Sequence, residues 1–159
     1  MSIMARLVAA STRFTTRGVY LGRRSSKVHV ALYRRTNGKV GGRLPGWPGA
    51  RILLLDHVGA RSGVRRTSPV IYLDYGDSVV VAASKAGQPT HPAWYFNLRA
   101  HPDTTIRIGS EVRPVRARIA DGAEREQLWT RLVDAFPGYA FYQKSAGRRR
   151  IPIVVLEPR

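Results

Sequence analysis

The sequence GARSGVRRTSPVIYLDYGDSVVVAASK, residues 59–85, contains the pattern that decides the fold. A loop rich in glycine and arginine comes first, and two apolar runs follow it over Ser68–Tyr75 and Ser78–Ser84. Such β-branched and aromatic runs favour strands, and Tyr75-Gly76-Asp77 leaves room only for a tight turn between them. The segment therefore predicts an antiparallel β-hairpin that follows a cationic loop.

Four more runs with strand character lie outside this hairpin. One precedes the loop, two are joined by Gly109-Ser110, and one ends the sequence: Arg51–Val58, Thr104–Ile108, Glu111–Ile119 and Ile151–Pro158. Short connections between successive strands indicate an antiparallel barrel and argue against a parallel βαβ sheet. We therefore predict a mainly β protein with flanking helices, built on a six-stranded antiparallel barrel.

Helical patterns flank these strands. Val28, Ala31 and Leu32 recur at helical spacing within a short basic helix over Ser26–Arg35. Three more helical segments are predicted: one after a Thr90 cap, with Pro92 in its first turn; one launched by a capping box of Asp121 and Glu124; and an aromatic turn after Pro137-Gly138. We divide the chain into a basic arm, residues 1–36, and a barrel domain, residues 37–159.

The charge of the chain restricts its partners. Its 159 residues suit one domain, and 27 Lys and Arg against 10 Asp and Glu give a net charge of +17. No acidic residue precedes Asp56. Such a chain attracts anions, which leaves nucleic acid, an acidic membrane surface or a small polyanionic ligand as partners. For the arm, a transit peptide, a helix lying on anionic lipid and a frayed segment remain alternatives.

Several classes of site are excluded or disfavoured by composition. The chain has no cysteine, which rules out disulfides, thiol catalysis and Cys-ligated metal centres. The four histidines lack paired ligand spacing, so we expect no metal site. No run approaches the roughly 20 apolar residues of a membrane-spanning helix.

Three short motifs can form a binding site, and each also has a purely structural interpretation. In Gly59–Arg66 the glycines permit a tight loop and the arginines supply fork-shaped donors for phosphate or carboxylate, although a solvated turn would look the same. Ala82–Lys85 offers small side chains under a flat ring and a polar strand end, or simply a capped strand. His91–Asn97 provides either a pocket wall at Trp94 or a helix packed on the barrel.

Taken together and in this order, GARSGVRRTSP, VVVAASKAG and HPAWYFNLRAHP resemble the deazaflavin-dependent nitroreductase family, small enzymes that use coenzyme F420. The late segments FPGYAFYQ and IPIVVLEP are similar too, and the resemblance extends from about Tyr33 to Pro158. It implies a split β-barrel of the flavin-binding type. It also implies F420 as the cofactor, with FMN less favoured, and hydride transfer to a quinone, a nitro compound or a similar acceptor.

The resemblance also implies roles for individual residues. Ser84 and Tyr139 are the candidate catalytic donors. The residues expected to bind the acidic part of the cofactor are Arg61, Ser62, Arg65, Arg66 and Lys85. Those expected to contact its ring are Pro69, Ala83, Ser84, Ala93 and Trp94, and those expected to form the acceptor pocket are Ile71, Phe136, Tyr139 and Tyr142.

The chain departs from the family pattern at a few of these positions. Ala60 replaces an arginine that usually follows the first glycine of the loop, and Ala86 replaces a common glycine. Ile71 and Phe136 stand where members active on nitro drugs have tyrosines. These changes leave cofactor binding intact and leave the identity of the acceptor open.

Other functions remain compatible with the residues. A basic nucleic-acid-binding module would suit the charge, although no recognised DNA- or RNA-binding signature is present and we expect no specific nucleic-acid partner. A split barrel that binds a cofactor or a lipid without turnover is a further alternative. We expect a cytoplasmic protein, with a peripheral position at the inner face of the cell membrane as the alternative.

Overall fold

The computed structural model describes residues 23–159. In that range the chain forms four α-helices and seven strands, together with a short 3₁₀ turn at Lys85–Gly87. In chain order these are α1 (Arg23–Thr36), β1 (Arg43–Leu44), β2 (Trp47–Val58), β3 (Arg65–Tyr75), β4 (Ser78–Ala82), α2 (Ala93–Ala100), β5 (Asp103–Ile108), β6 (Glu111–Ile119), α3 (Gly122–Ala135), α4 (Gly138–Ser145) and β7 (Ile153–Pro158).

Six of the strands close into an antiparallel barrel, as predicted. The strands follow the order β2-β3-β4-β7-β6-β5, and β5 pairs again with β2 through Leu54 opposite Arg107 and Leu55 opposite Ile106. The two-residue β1 pairs with the start of β2 outside this ring. Closure removes the exposed edges of the sheet and gives a rigid frame for the loops at its ends.

Alternation along the strands separates two apolar cores. Val79 and Val81 of β4 point into the barrel, where side chains from all six strands meet and α2 covers one end with Trp94 and Leu98. Val80, between them, points outward to a second core under α3 and α4. Because successive side chains of a strand point to opposite faces, the barrel interior lies on one face of these strands and the helices lie on the other.

Helix α1 is fixed to the barrel by one buried tyrosine. Tyr33 is 1% exposed and packs with Val30 on Ile52 and Leu54 of β2. Its hydroxyl donates to the Ile52 carbonyl (3.1 Å) and accepts from the Gly109 amide (2.9 Å). The second half of the predicted arm thus lies against the barrel. The predictions for residues 1–22 lie outside the described residues.

The sequence predicts a strand over Arg51–Val58, whereas β2 begins four residues earlier, at Trp47. The strand begins there because Leu44 and Trp47 pair across the turn that joins β1 to β2. Pro48 is compatible with this position, since a proline at the start of a strand removes no hydrogen bond from the sheet interior.

The predicted start of α3 is right, but the predicted capping box does not form. Asp121 is the N-cap residue and makes no side-chain cap bond, and the Glu124 carboxylate accepts two bonds from Arg118 (both 2.7 Å) and one from Tyr75 (3.1 Å). Thr90 does not cap α2 either. That helix begins after Pro92, and the Thr90 hydroxyl accepts a bond from Lys85 (2.8 Å). Among residues 23–159, no helix is long and apolar enough to cross a membrane.

Candidate active site

A large cleft runs along the outer face of the barrel, between α1, the β2–β3 loop, the loop after β4, and α4. Its volume is about 2670 Å³. Small-molecule sites commonly measure about 300–1,000 Å³. The cleft therefore has room for an extended ligand and for a second reactant beside it.

The cleft brings together twelve of the fourteen site residues predicted from the sequence. They are Arg61, Ser62, Arg65, Arg66, Pro69, Ile71, Ser84, Lys85, Ala93, Trp94, Tyr139 and Tyr142. The other two, Ala83 and Phe136, are 0% and 1% exposed and lie beneath the wall. Phe136 supports the acceptor side from below, since its ring packs edge-on against Tyr139 with centroids 5.2 Å apart.

Residues 59–66, here called the cationic loop, comprise the turn between β2 and β3 and the first two residues of β3. The Gly59 amide donates to the Val64 carbonyl and the Gly63 amide to the Gly59 carbonyl, both at 2.9 Å. Gly63 has φ +66°, a left-handed conformation that glycine adopts without steric penalty. The tight turn leaves the side chains of the loop to project into solvent beside the cleft.

The cations of this loop have no acidic partner among the described residues. Arg61, Arg65 and Arg66 are exposed, and their side chains make no ion pair or hydrogen bond within residues 26–159. Several arginines elsewhere form ion pairs, as Arg118 does with Glu124 (2.7 Å) and Glu157 (2.5 Å). The loop thus adds uncompensated positive charge and unused guanidinium donors to one side of the cleft, which suits an anionic ligand.

The cleft also contains carboxylates, and these are engaged elsewhere. Asp56 accepts bonds from the hydroxyls of Thr67 (2.6 Å) and Thr105 (2.8 Å), and Asp103 pairs with Arg116 (2.8 Å). Neither forms an ion pair with the cationic loop, so the charge of the loop is not neutralised from within the cleft.

The loop after β4 has an unusual backbone. Lys85, Ala86 and Gly87 have φ of +48°, +52° and +76°, three left-handed residues in succession. The glycine is required, because a Cβ there would lie 2.8 Å from the Tyr142 carbonyl oxygen of α4. The two other residues carry a conformational cost of about 1–2 kcal/mol each, which the surrounding contacts must offset.

Arg149 provides those contacts from behind the cleft. Its guanidinium donates to the carbonyls of Ser84 (2.6 Å), Gln88 (2.9 Å) and Ala83 (3.0 Å), and lies 3.0 Å from His91 Nδ1. Arg149 does not line the cleft, yet it fixes the backbone that presents Ser84 and Lys85 to it. The sequence does not single it out, because the run Arg148–Arg150 contains three arginines and no pattern marks the middle one.

Two buried tyrosines form the opposite wall. Tyr139 and Tyr142 are 2% and 3% exposed, and neither hydroxyl has a hydrogen-bond partner within residues 23–159. Burial and the neighbouring Tyr142 raise the pKa of Tyr139 well above its usual value, and burial also raises the pKa of Tyr142. Both hydroxyls therefore stay protonated and can donate to a molecule bound in the cleft.

A buried histidine connects the cationic loop to α2. His57 is 4% exposed, and its Nε2 and Nδ1 lie 2.9 Å from Ser68 Oγ and from Asn97 Nδ2. The Asn97 side-chain oxygen accepts from the Ala60 amide (2.9 Å). Burial, with a smaller contribution from Arg66, lowers the pKa of His57 to about 4, so the ring is neutral at physiological pH. Within the described residues, no group of three His, Asp or Glu side chains could hold a metal ion.

Replacing Arg149 with methionine should loosen the loop after β4. The change removes a donor from each of three carbonyls, of which that of Ser84 keeps the Gly87 amide. We therefore expect amide hydrogen exchange over residues 84–90 to accelerate and the free energy of unfolding to fall by about 1–3 kcal/mol. Arg148→Met is the matched control, since Arg148 is exposed. Equal exchange rates in the two variants would contradict the role of Arg149.

The stability contributed by neutral His57 should depend on pH in a defined direction. Its pKa is about 4 in the folded chain against 6.5 as a free side chain, so the unfolded state binds the proton more tightly. The contribution is complete above pH 6.5 and falls as the pH approaches 4, by roughly 3 kcal/mol in all. Urea unfolding of the wild type and of His57→Gln should show a free-energy difference that shrinks over this interval; a difference independent of pH would refute the assignment.

Comparison with known proteins identifies the family of this chain. The family model for F420H(2)-dependent quinone reductase matches residues 25–158. A putative F420H(2)-dependent quinone reductase of Mycobacterium tuberculosis is 45% identical over 107 residues, 67% of this chain and 89% of the relative. An F420H(2)-dependent quinone reductase of the same species is 38% identical over 146 residues, 88% of this chain and 94% of the relative.

Solved structures give the same result. An F420-H2 dependent reductase is 39% identical and superposes with a TM-score of 0.62, covering 67% of this chain and 93% of that one. A haem-binding protein of Mycobacterium smegmatis, 17% identical with a TM-score of 0.54 over 70% of this chain and 47% of that one, shares the fold alone. The resemblance inferred from the sequence motifs is confirmed: the chain belongs to the F420H(2)-dependent quinone reductase family.

Proposed function

We propose that this chain is an oxidoreductase that binds coenzyme F420 in the cleft and transfers a hydride from its reduced form to a quinone. Membership of the family supports the cofactor and the reaction class. The observation that carries the proposal for this chain is the set of cations without carboxylate partners on the cationic loop, beside a cleft with small residues in its wall.

The residues of the cleft fit the cofactor. F420 carries a phosphodiester and a glutamate tail, and guanidinium groups match such oxygen acceptors in charge and geometry. Arg61, Arg65, Arg66 and Lys85 supply that charge, and Pro69 and Ala93 let a flat ring approach the wall closely. The acidic tail makes F420 a better complement to these cations than FMN is.

The protein's part in the reaction is to bind, to orient and to donate hydrogen bonds. When bound, the reduced deazaflavin supplies the hydride chemistry. Trp94 walls the ring on one side, and the hydroxyls of Ser84 and Tyr139 donate to the acceptor oxygen on which negative charge arrives. Tyr139 is suited to this role because it stays protonated, and the surrounding aromatic rings exclude water from the reacting groups.

A quinone suits the acceptor side better than a nitro compound. The names of the relatives support this choice. Ile71 lines the cleft beside Tyr139 and Tyr142, and Phe136 lies under the two tyrosines, so that apolar surface meets a flat ring while hydroxyls meet its oxygens. Both Ile71 and Phe136 differ from the tyrosines of the members that reduce nitro drugs.

The location of the protein in the cell is a separate proposal. The net charge of +17 and the basic helix α1 support an electrostatic attraction to anionic lipid, with the protein otherwise in the cytoplasm. Partitioning of the full chain onto anionic liposomes, compared with neutral ones, tests it. The chain's affinity for nucleic acid, if measured, should be weak and steeply dependent on salt.

Removing single cations from the cleft should weaken cofactor binding. We expect Arg61→Ala and Lys85→Ala each to raise the Kd for F420 about 10-fold, because each loses a charge-assisted contact. Fluorescence titration gives the Kd. Arg35→Ala and Lys39→Ala, exposed cations that do not line the cleft, are the matched controls. Unchanged Kd values for the first pair, or tighter binding of FMN than of F420, would remove the basis of the proposal.

Removing the Tyr139 hydroxyl should affect turnover and not cofactor affinity. Tyr139→Phe keeps the buried ring, so the Kd for F420 should stay within about twofold, whereas kcat for F420H2 oxidation by a quinone should fall about 10- to 100-fold for the loss of one donor. Stopped-flow absorbance measures both. If the variant turns over at the wild-type rate, the acceptor does not depend on this hydroxyl.

A further inference from the structure

Three polar side chains form a hydrogen-bonded chain at the rim of the barrel, beside the predicted cofactor residues. Ser68 of β3, His57 of β2 and Asn97 of α2 are joined by contacts of 2.9 Å, and the Ala60 amide of the cationic loop closes the far end at 2.9 Å. All four residues line the cleft. Ser68 is not among the site residues that the sequence motifs predict.

The direction of every bond in this chain is fixed. The Ala60 amide can only donate, so it must meet the side-chain oxygen of Asn97, which turns the Asn97 NH2 group toward His57 Nδ1. Nδ1 therefore accepts, and the proton of the neutral ring sits on Nε2. Nε2 in turn donates to Ser68 Oγ. One lone pair of Ser68 is thus occupied, and its own hydrogen has no acceptor among residues 23–159.

This direction excludes the activity that the three residue types would otherwise suggest. A serine, a histidine and an asparagine at these distances resemble a nucleophile, a base and its orienting group. In such a triad the orienting group accepts from Nδ1, which leaves Nε2 free to take the hydroxyl proton. Here Asn97 donates to Nδ1, so Nε2 carries a proton and cannot act as a base toward Ser68. The arrangement presents a donor and does not activate a nucleophile.

We propose that Ser68 is a further cofactor-binding residue, whose hydroxyl is oriented by His57 and Asn97 to donate a hydrogen bond to an oxygen acceptor of the bound deazaflavin cofactor. The inference rests on the proposed function. His57 and Asn97 are positioning residues, and their buried contacts keep Ser68 from turning its hydroxyl back into the protein. The same contacts tie the cationic loop to α2 through Ala60.

The charges around His57 preserve this arrangement. The groups acting on its ring are Arg66, which disfavours protonation, and Asp56, which favours it more weakly. Asp56 is engaged with Thr67 and Thr105. The ring is buried and stays neutral, so it keeps the single Nε2 proton on which the orientation of Ser68 depends.

The first test compares Ser68→Ala with Ser110→Ala, an exposed serine of the β5–β6 turn that does not line the cleft. We expect Ser68→Ala to raise the Kd for F420 about 3- to 10-fold and the control to leave it unchanged. Titration with a deazaflavin lacking the phosphate and the glutamate tail locates the acceptor. A loss with both ligands assigns it to the ring or its polyol chain, and a loss with F420 alone assigns it to the phosphodiester or the glutamate tail.

An unchanged Kd in Ser68→Ala, with the wild type binding F420, overturns this inference and leaves the proposed function in place. Failure of the wild type to bind F420 removes the proposed function itself. The two failures are therefore distinguishable.

A second test reverses the direction of the hydrogen bonds that join residue 97, His57 and Ser68. In Asn97→Asp both side-chain oxygens accept, so one takes the Ala60 amide and the other takes a proton on His57 Nδ1. Nε2 then accepts, and Ser68 must donate to it and no longer to the cofactor. At a pH where the ring is neutral, we expect ¹⁵N NMR to show the Nε2–H form in the wild type and the Nδ1–H form in the variant. Adding Ser68→Ala to Asn97→Asp should then raise the Kd for F420 by less than about twofold.

If Ser68→Ala raises the Kd for F420 equally in the wild type and in Asn97→Asp, the proposal is contradicted. An Nδ1–H ring in the wild type would contradict it too. The wild-type spectrum alone decides the direction of the bonds should Asn97→Asp fail to fold.

Discussion

The uncompensated charge of the cationic loop is the feature on which the site depends. Several arginines elsewhere in the described residues are neutralised by carboxylates, as in the contact of Arg118 with Glu124 and Glu157. Around Arg61, Arg65 and Arg66 no carboxylate is within reach, and Asp56 is engaged by two threonines. Cations left unpaired beside an open cleft repel one another, and an acidic ligand relieves that repulsion. The cleft is thus prepared for an anion before one arrives.

Charge of this kind is useful only if its position is fixed, and two sets of hydrogen bonds fix it. Arg149 holds the left-handed loop of Lys85–Gly87 through backbone carbonyls, and the His57–Asn97 pair holds the cationic loop through the Ala60 amide. Both sets attach loops to a closed barrel, which is the least deformable part of the fold. The cations that line the cleft are therefore positioned by residues of other segments of the chain.

The sequence predicts the barrel because its signal is local, and it misses what depends on distant contacts. Apolar runs and the tight turns between them are enough to place the strands, whereas the uniformly apolar run Ser78–Ser84 does not decide that Val80 faces outward and Val81 inward. The motifs also locate twelve of the residues that line the cleft. Arg149 acts on Ser84, 65 positions earlier in the chain, and no spacing rule reaches so far. No motif indicates Ser68, because its proposed role follows from the direction of bonds among side chains of three separate elements.

The structure of the complex with F420 tests the central claim most directly. We predict that the deazaflavin ring lies in the cleft between Pro69 and Trp94, with the phosphodiester or the glutamate tail within hydrogen-bond distance of at least one guanidinium of the cationic loop. A cofactor bound with its acidic groups turned away from Arg61, Arg65 and Arg66, or bound outside the cleft, would contradict the account.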